Sequence, residues 1–200
     1  MYVNPYFSEA VPGSACIFLA RCARIGRMSK PLSPTIQSAH VLDFISHSVA
    51  QTLRIGQRLG ELLQRGDLVL LLGDFGSGKT HLIKGIVQGL GSDDLVNSPS
   101  FVLINEYRAG ARHQQMTIFH ADLYRIEAPE ELVGIGLEEA WSANGVCLIE
   151  WAERAQSWLP QEHLAIHLQY LSDTKRVLRF VPHGPRYEAL VAEFKKSTFA

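Results

Sequence analysis

The sequence predicts an α/β fold, a three-layer sandwich whose central, mostly parallel sheet carries additional antiparallel strands. Three observations lead there. The continuous apolar runs over residues 68–72 and 146–149 have the composition of strands buried on both faces, as in parallel sheets. Segments with apolar residues at helical spacing stand between them. Two alternating segments near the C-terminus, 164–171 and 177–181, read as an antiparallel pair.

The elements follow in order. Val41, Leu42, Ile45, Val49, Leu53, Leu59, Leu62 and Leu63 recur mostly at helical spacing, which predicts a helix over 40–63 closed by Arg65-Gly66-Asp67. The strand at 68–72 runs into a glycine-rich turn, and Leu82, Ile83, Ile86, Val87 and Leu90 then form one apolar stripe on a helix ended by Gly91. Residues 101–107 and 116–122 read as a hairpin around a polar turn. A helix is expected over 129–141, with Pro129 in its first turn and Glu130 and Glu131 matching its dipole. A short helical stretch reaching Trp158 is stopped by Pro160, and a last helix is expected over 186–196.

Composition narrows the class. The 200 residues are 46% hydrophobic with a formal net charge of −1, enough for one sizeable core and too balanced for a strongly basic nucleic-acid footprint. Cys16, Cys22 and Cys147 lack metal-ligand spacing, which fits a reduced, cytoplasmic chain. Apolar runs of four or five residues are far below the roughly 20 needed to span a membrane. Ala15 to Ala20 is apolar, but its basic residues follow it, the wrong order for a secretory signal. Residues 1–35, with four prolines, are expected to be a poorly ordered extension in which Met28 offers an alternative start, and 36–200 a single domain.

The chemistry lies in Gly73-Asp74-Phe75-Gly76-Ser77-Gly78-Lys79-Thr80, which fits Gly, four residues, Gly, Lys, Ser or Thr between a buried strand and an amphipathic helix. In such a P-loop the glycines let backbone amides turn toward a phosphate, and the helix N-terminus adds partial positive charge. Lys79 would bridge the β- and γ-phosphates, and the Thr80 hydroxyl would ligate Mg²⁺. The fold expected is therefore P-loop NTPase-like, with 36–200 forming one P-loop ATPase domain that binds ATP and Mg²⁺. His81 follows at once and is included among the nucleotide-contacting positions.

A second carboxylate should stand on a neighbouring strand end. Glu150 closes the apolar run 146–149 and would sit at the carboxyl edge of the sheet, where open α/β sheets bind ligands. Asp122 ends another strand and reads either as a metal-shell or water-orienting group or as the cap of the next turn. His120 reads as a core histidine, and Arg125 as a phosphate contact or a partner of Glu127. Trp151 stands equally for a stacking surface and for a core aromatic, whereas Trp141 and Trp158 read as core. Lys175, Arg176, Arg179, Arg186, Lys195 and Lys196 read as a solvated face more than a tRNA contact, because acidic residues are interspersed.

Taken in order, residues 73–80, Ser98-Pro99-Ser100-Phe101, Asn105-Glu106-Tyr107, residues 120–125 and Glu150-Trp151 resemble the bacterial TsaE (YjeE) family over roughly Val41 to Leu168. The resemblance implies the ATPase of tRNA threonylcarbamoyladenosine biosynthesis, weak alone and dependent on the partners TsaD and TsaB, with tRNA met mainly through that complex. It also implies a switch-like hydroxyl at Ser100, the motif aspartate at Asp122, the Glu-Trp pair at Glu150 and Trp151, and a threonine near adenine at Thr52. Phe75, Ser77, Ser100 and Ala152 depart from the usual Leu, Ala, Thr and Pro, without removing a carboxylate or a hydroxyl. The expected catalytic set is Lys79, Asp122 and Glu150, with Thr80 and Glu150 on the metal. A small-molecule kinase should add an arginine-rich lid, but Arg108 and Arg112 stand nearly alone. A GTPase should carry Asn-Lys-x-Asp, which is absent.

Overall fold

The computed structural model describes residues 41–99, 103–132, 136–142, 145–155 and 157–199. The extension expected over 1–35 and the hydroxyl expected at Ser100 lie outside them. The elements are β1 Leu42–Ser46, α1 Val49–Gly60, β2 Leu68–Leu72, α2 Lys79–Gly89, β3 Ile104–Arg108, β4 Thr117–Asp122, α3 Leu137–Ser142, β5 Val146–Glu150, β6 His163–Tyr170, β7 Arg176–His183 and α4 Pro185–Phe199.

Seven strands form one sheet in the order β1-β7-β6-β2-β5-β4-β3. The four central strands, β6, β2, β5 and β4, run parallel. Antiparallel pairing adds β3 at one edge and β7 and β1 at the other. This is the expected three-layer α/β architecture of the P-loop NTPase type. One face of the sheet is covered by α1, α2 and α4, where Leu59, Leu82, Ile86 and Phe194 are fully buried against Leu71, Ile118 and Ile166. On the other face α3 and the 3₁₀ turns Pro129–Leu132 and Ala152–Ala155 cover Leu70, Cys147 and Ile149. No helix among the described residues is long and apolar enough to cross a membrane.

Two expected helices are shorter than their sequence patterns. The segment expected to be helical from residue 40 begins as β1: Leu42, Phe44 and Ser46 point inward while Asp43 and Ile45 point out, a period of two that shares Leu42 with the helical spacing of Leu42 and Ile45. The helix starts only after Ser48, whose Oγ accepts the Gln51 amide at 3.1 Å, a side-chain N-cap. The helix expected over 129–141 is a 3₁₀ turn at Pro129–Leu132 and a short α3 from Leu137, and Gly136 between them takes φ +80°, outside helical space. Trp158, expected in the core, is exposed.

α1 and α2 pack backbone to backbone. A Cβ on Gly56 would stand 2.4 Å from the Leu82 carbonyl oxygen and one on Gly60 2.2 Å from that of Ile86. From the other side, Cβ atoms on Gly85 and Gly89 would stand 2.2 and 2.0 Å from the carbonyl oxygens of Leu53 and Gln57. Glycines four apart on each helix therefore make a flat stripe on each, and only hydrogen-sized side chains allow this approach. The contact ties α1, which carries Thr52, to the helix that starts at Lys79.

Candidate functional site

Because β2, β4 and β5 are parallel, their carboxyl ends share one edge of the sheet. The loop from Gly73 leaves β2 there and feeds α2. Gly73 has φ +140°, and a Cβ on it would lie 2.2 Å from the Leu168 carbonyl oxygen of β6, so the loop begins against the neighbouring strand. Gly78 occupies the N-cap position of α2 with φ +100° and no side-chain cap. The first-turn amides of α2, which have no partners within the helix, thus remain available to an anion.

Lys79 is buried, 4% exposed, and its Nζ donates to the carbonyls of Gly73 at 2.7 Å and Asp74 at 3.0 Å. The same ammonium lies 3.9 Å from the centre of the Trp151 ring. Burial pushes its pKa below the usual lysine value, opposed by the charges of Glu150, Glu153, Asp122 and Asp74. Trp151 holds its ring there from a left-handed backbone, φ +58°, which for a bulky side chain costs about 1–3 kcal/mol. Strain of that size directly after a strand end marks a position fixed for its surroundings.

Asp122 and Glu150 are register partners at the ends of β4 and β5. Glu150 is 3% exposed and accepts from the Thr80 hydroxyl on both oxygens, at 2.9 and 3.1 Å, while His120 Nε2 lies 3.0 Å from its Oε1. A buried carboxylate is tolerated only with such partners. Of the two jobs open to Asp122 from sequence, the hydrogen bonds show the cap. Its Oδ1 caps the turn through the Tyr124 amide at 3.0 Å, and its Oδ2 accepts from Ser98 Oγ at 2.6 Å.

These groups open onto a cavity of about 570 Å³ lined by Thr52, Phe75, Gly76, Gly78, Lys79, Thr80, His81, Asp122, Arg125, Glu150 and Trp151 among others. Asp74 and Ser77 shape the loop without lining the cavity; Ser77 Oγ is buried and has no partner among the described residues. Thr52 is on the wall, but its hydroxyl is shared with Ser46 Oγ at 2.8 Å. Phe75 is 86% exposed and sits 6.5 Å from the Tyr124 ring, which lies 5.1 Å from Trp151, so an aromatic rim borders the mouth.

Four participants escaped the sequence reading. Ser98 and His120 hold the two carboxylates, and the β6–β7 turn and the first residue of β7 supply Asp173 and Arg176 to the cavity wall, with Arg176 donating to the Gly76 carbonyl at 3.2 Å. His120 was accessible in principle, since it lies two residues before Asp122 on the same strand face. Arg176 was not, because nothing local ties the turn to a loop a hundred residues away. Two other basic residues of that region are accounted for differently: Arg179 pairs with Asp43 at 2.8 Å, and Arg186 grips Asp67 with two bonds, at 3.0 and 2.6 Å.

Comparison with known proteins agrees over the same span. The family model described as threonylcarbamoyl adenosine biosynthesis protein TsaE matches residues 46–178. The tRNA threonylcarbamoyladenosine biosynthesis protein TsaE of Bacillus subtilis is 38% identical over 146 residues, covering 73% of this chain and 89% of that protein. The protein of the same name from Treponema pallidum is 39% identical over 132 residues, 66% of this chain and 94% of its own. Among solved structures, Bacillus subtilis YdiB superimposes with a TM-score of 0.66 at 32% identity, covering 79% of this chain and 96% of that one. With a family model spanning well over half its length and relatives matched almost end to end, the chain belongs to the TsaE family.

Proposed function

We propose that the chain binds ATP with Mg²⁺ and hydrolyses it in support of tRNA threonylcarbamoyladenosine biosynthesis, slowly alone and faster with the partners TsaD and TsaB. The observation that carries this reading is the trio Lys79, Thr80 and Glu150. A buried ammonium stands on a glycine-rich loop, and beside it a hydroxyl is hydrogen-bonded to a buried carboxylate. The donor set fits a hard cation: a hydroxyl and a carboxylate, both oxygen, adjoin at the cavity wall. When bound, the cation supplies charge neutralisation across the phosphates.

The residues do the rest. The N-terminus of α2 and Lys79 hold the phosphates, and Lys79 exchanges the loop's own carbonyls for phosphate oxygens. Asp122, held by Ser98, accepts a hydrogen bond from the attacking water and fixes its direction. The Trp151 ring shields the lysine from solvent, which strengthens its attraction for phosphate. Tyr124, Phe75 and Trp151 together form an apolar rim suited to contact with a partner protein or base. The location consistent with this reading is the cytoplasm, with tRNA met through the complex.

Binding of a fluorescent ATP analogue tests the reading. Lys79→Ala is expected to weaken it at least about a hundredfold, roughly 2.7 kcal/mol, while phosphate release by the intact protein rises on adding TsaB and TsaD. High turnover without partners, undiminished binding by Lys79→Ala, or transfer of the phosphoryl group to a small molecule would overturn it.

A further inference from the structure

His120 is completely buried, and its imidazole makes one hydrogen bond, from Nε2 to Glu150 Oε1 at 3.0 Å; among the described residues Nδ1 has no partner. The carboxylate can only accept, so Nε2 donates the hydrogen bond, and Nδ1 is left orphaned. An orphaned buried nitrogen is unfavourable by about 1–3 kcal/mol. An aliphatic side chain at this place, beside Leu148 across the strand pair and against the Tyr107 ring 6.2 Å away, would avoid it. Packing therefore does not account for a histidine here. What the imidazole provides that a leucine cannot is a directed N–H on one oxygen of Glu150.

That oxygen is also one of the two that accept from Thr80. Without His120, the hydrogen bonds left to Glu150 among the described residues would be those from Thr80. We propose that His120 is a positioning residue for Glu150: its Nε2–H fixes the buried carboxylate in the orientation that faces Thr80 and so sets up the oxygen pair for a divalent cation. This rests on the reading above, in which Thr80 and Glu150 hold Mg²⁺. Outer partners of metal-ligating groups commonly contribute ten- to a hundredfold in metal affinity.

The experiment measures binding of a fluorescent ATP analogue to the full chain, first in excess chelator and then across a Mg²⁺ titration. In His120→Leu the metal-free affinity stays within about twofold of the wild type, and the Mg²⁺ midpoint rises at least about tenfold. His120→Gln, whose amide nitrogen reproduces the donor, recovers most of the shift. Should the leucine variant fail to fold, His120→Gln against His120→Asn makes the same comparison, since the shorter amide does not reach Glu150. An unchanged Mg²⁺ midpoint in folded His120→Leu, or an equal loss with and without Mg²⁺, overturns the positioning role alone. A wild type that binds no nucleotide overturns the nucleotide reading and this inference with it.

Discussion

On the side of the cavity formed by α1, the glycine-rich loop and α2, position is set by backbone against backbone; on the side formed by the ends of β4 and β5 it is set by side chain against side chain. The first wall rests on four glycines whose missing side chains let two helices touch, and on Gly73 against the β6 carbonyl. The second rests on a chain of hydrogen bonds: Ser98 to Asp122, Thr80 and His120 to Glu150. A wall of the first kind tolerates no added atom but makes no chemical demand. A wall of the second kind tolerates shape changes and fails when a donor or acceptor is removed. Substitutions at the packing glycines of the first wall and at the hydrogen-bonded groups of the second should therefore separate into losses of stability and losses of function.

The largest effect is expected on the first wall. Gly85→Ala would gain about 1 kcal/mol if helix propensity alone decided. The new Cβ, however, would lie 2.2 Å from the Leu53 carbonyl oxygen and 3.0 Å from the Gly56 Cα, both backbone atoms that cannot turn aside. Net destabilisation of about 3 kcal/mol is expected from urea unfolding. An unchanged or raised midpoint would mean the helices separate easily, and the contrast between the walls would collapse.

The second wall should behave the other way. Asp122→Asn keeps the shape and one acceptor oxygen, so stability should stay within about 1 kcal/mol. Turnover in the presence of partners should fall roughly thirtyfold, about 2 kcal/mol in the barrier. Ser98→Ala should lower turnover less, because it frees Asp122 without removing it. If Asp122→Asn costs stability instead and spares turnover, the aspartate is the turn cap that its bond to the Tyr124 amide makes it, and nothing more.

How much was legible in the sequence divides along the same line. The glycine-rich loop, Lys79, Thr80 and the strand-end carboxylates could be read because their chemistry is local: each lies within a few residues of the element that positions it. The sheet's parallel centre followed from the apolar runs at β2 and β5. β1 was hidden inside a helical pattern, since Leu42 and Ile45 fit the helical spacing and Leu42 and Phe44 the period of two, until pairing of this edge strand with β7 selects one. The α1–α2 stripe was equally invisible, because Gly56, Gly60, Gly85 and Gly89 in isolation read only as poor helix formers. Contacts made across the fold, such as Arg176 on the loop carbonyl, leave no local trace.

The sheet beneath both walls offers a finer test through Cys147, whose thiol on β5 is fully buried and is pushed from the ordinary 9.0 up to about 12 by burial. A thiol with a raised folded pKa stays protonated in the folded chain after the unfolded chain has lost its proton. Its contribution to stability is thus complete below pH 9 and is lost as pH rises from 9 toward 12. Wild-type stability should fall by about 1.4 kcal/mol per pH unit in that range relative to Cys147→Ala, whose curve lacks this term. Lys79 acts in the opposite sense, since its lowered folded pKa lets stability rise with pH up to the ordinary lysine value, and the difference between the two proteins removes it because both carry the lysine. Chemical unfolding at pH 8, 9 and 10 makes the comparison. Parallel curves above pH 9 would mean that the thiol titrates freely in the folded state, and so that β5 opens to solvent beneath Glu150 and does not form a fixed floor under the two walls.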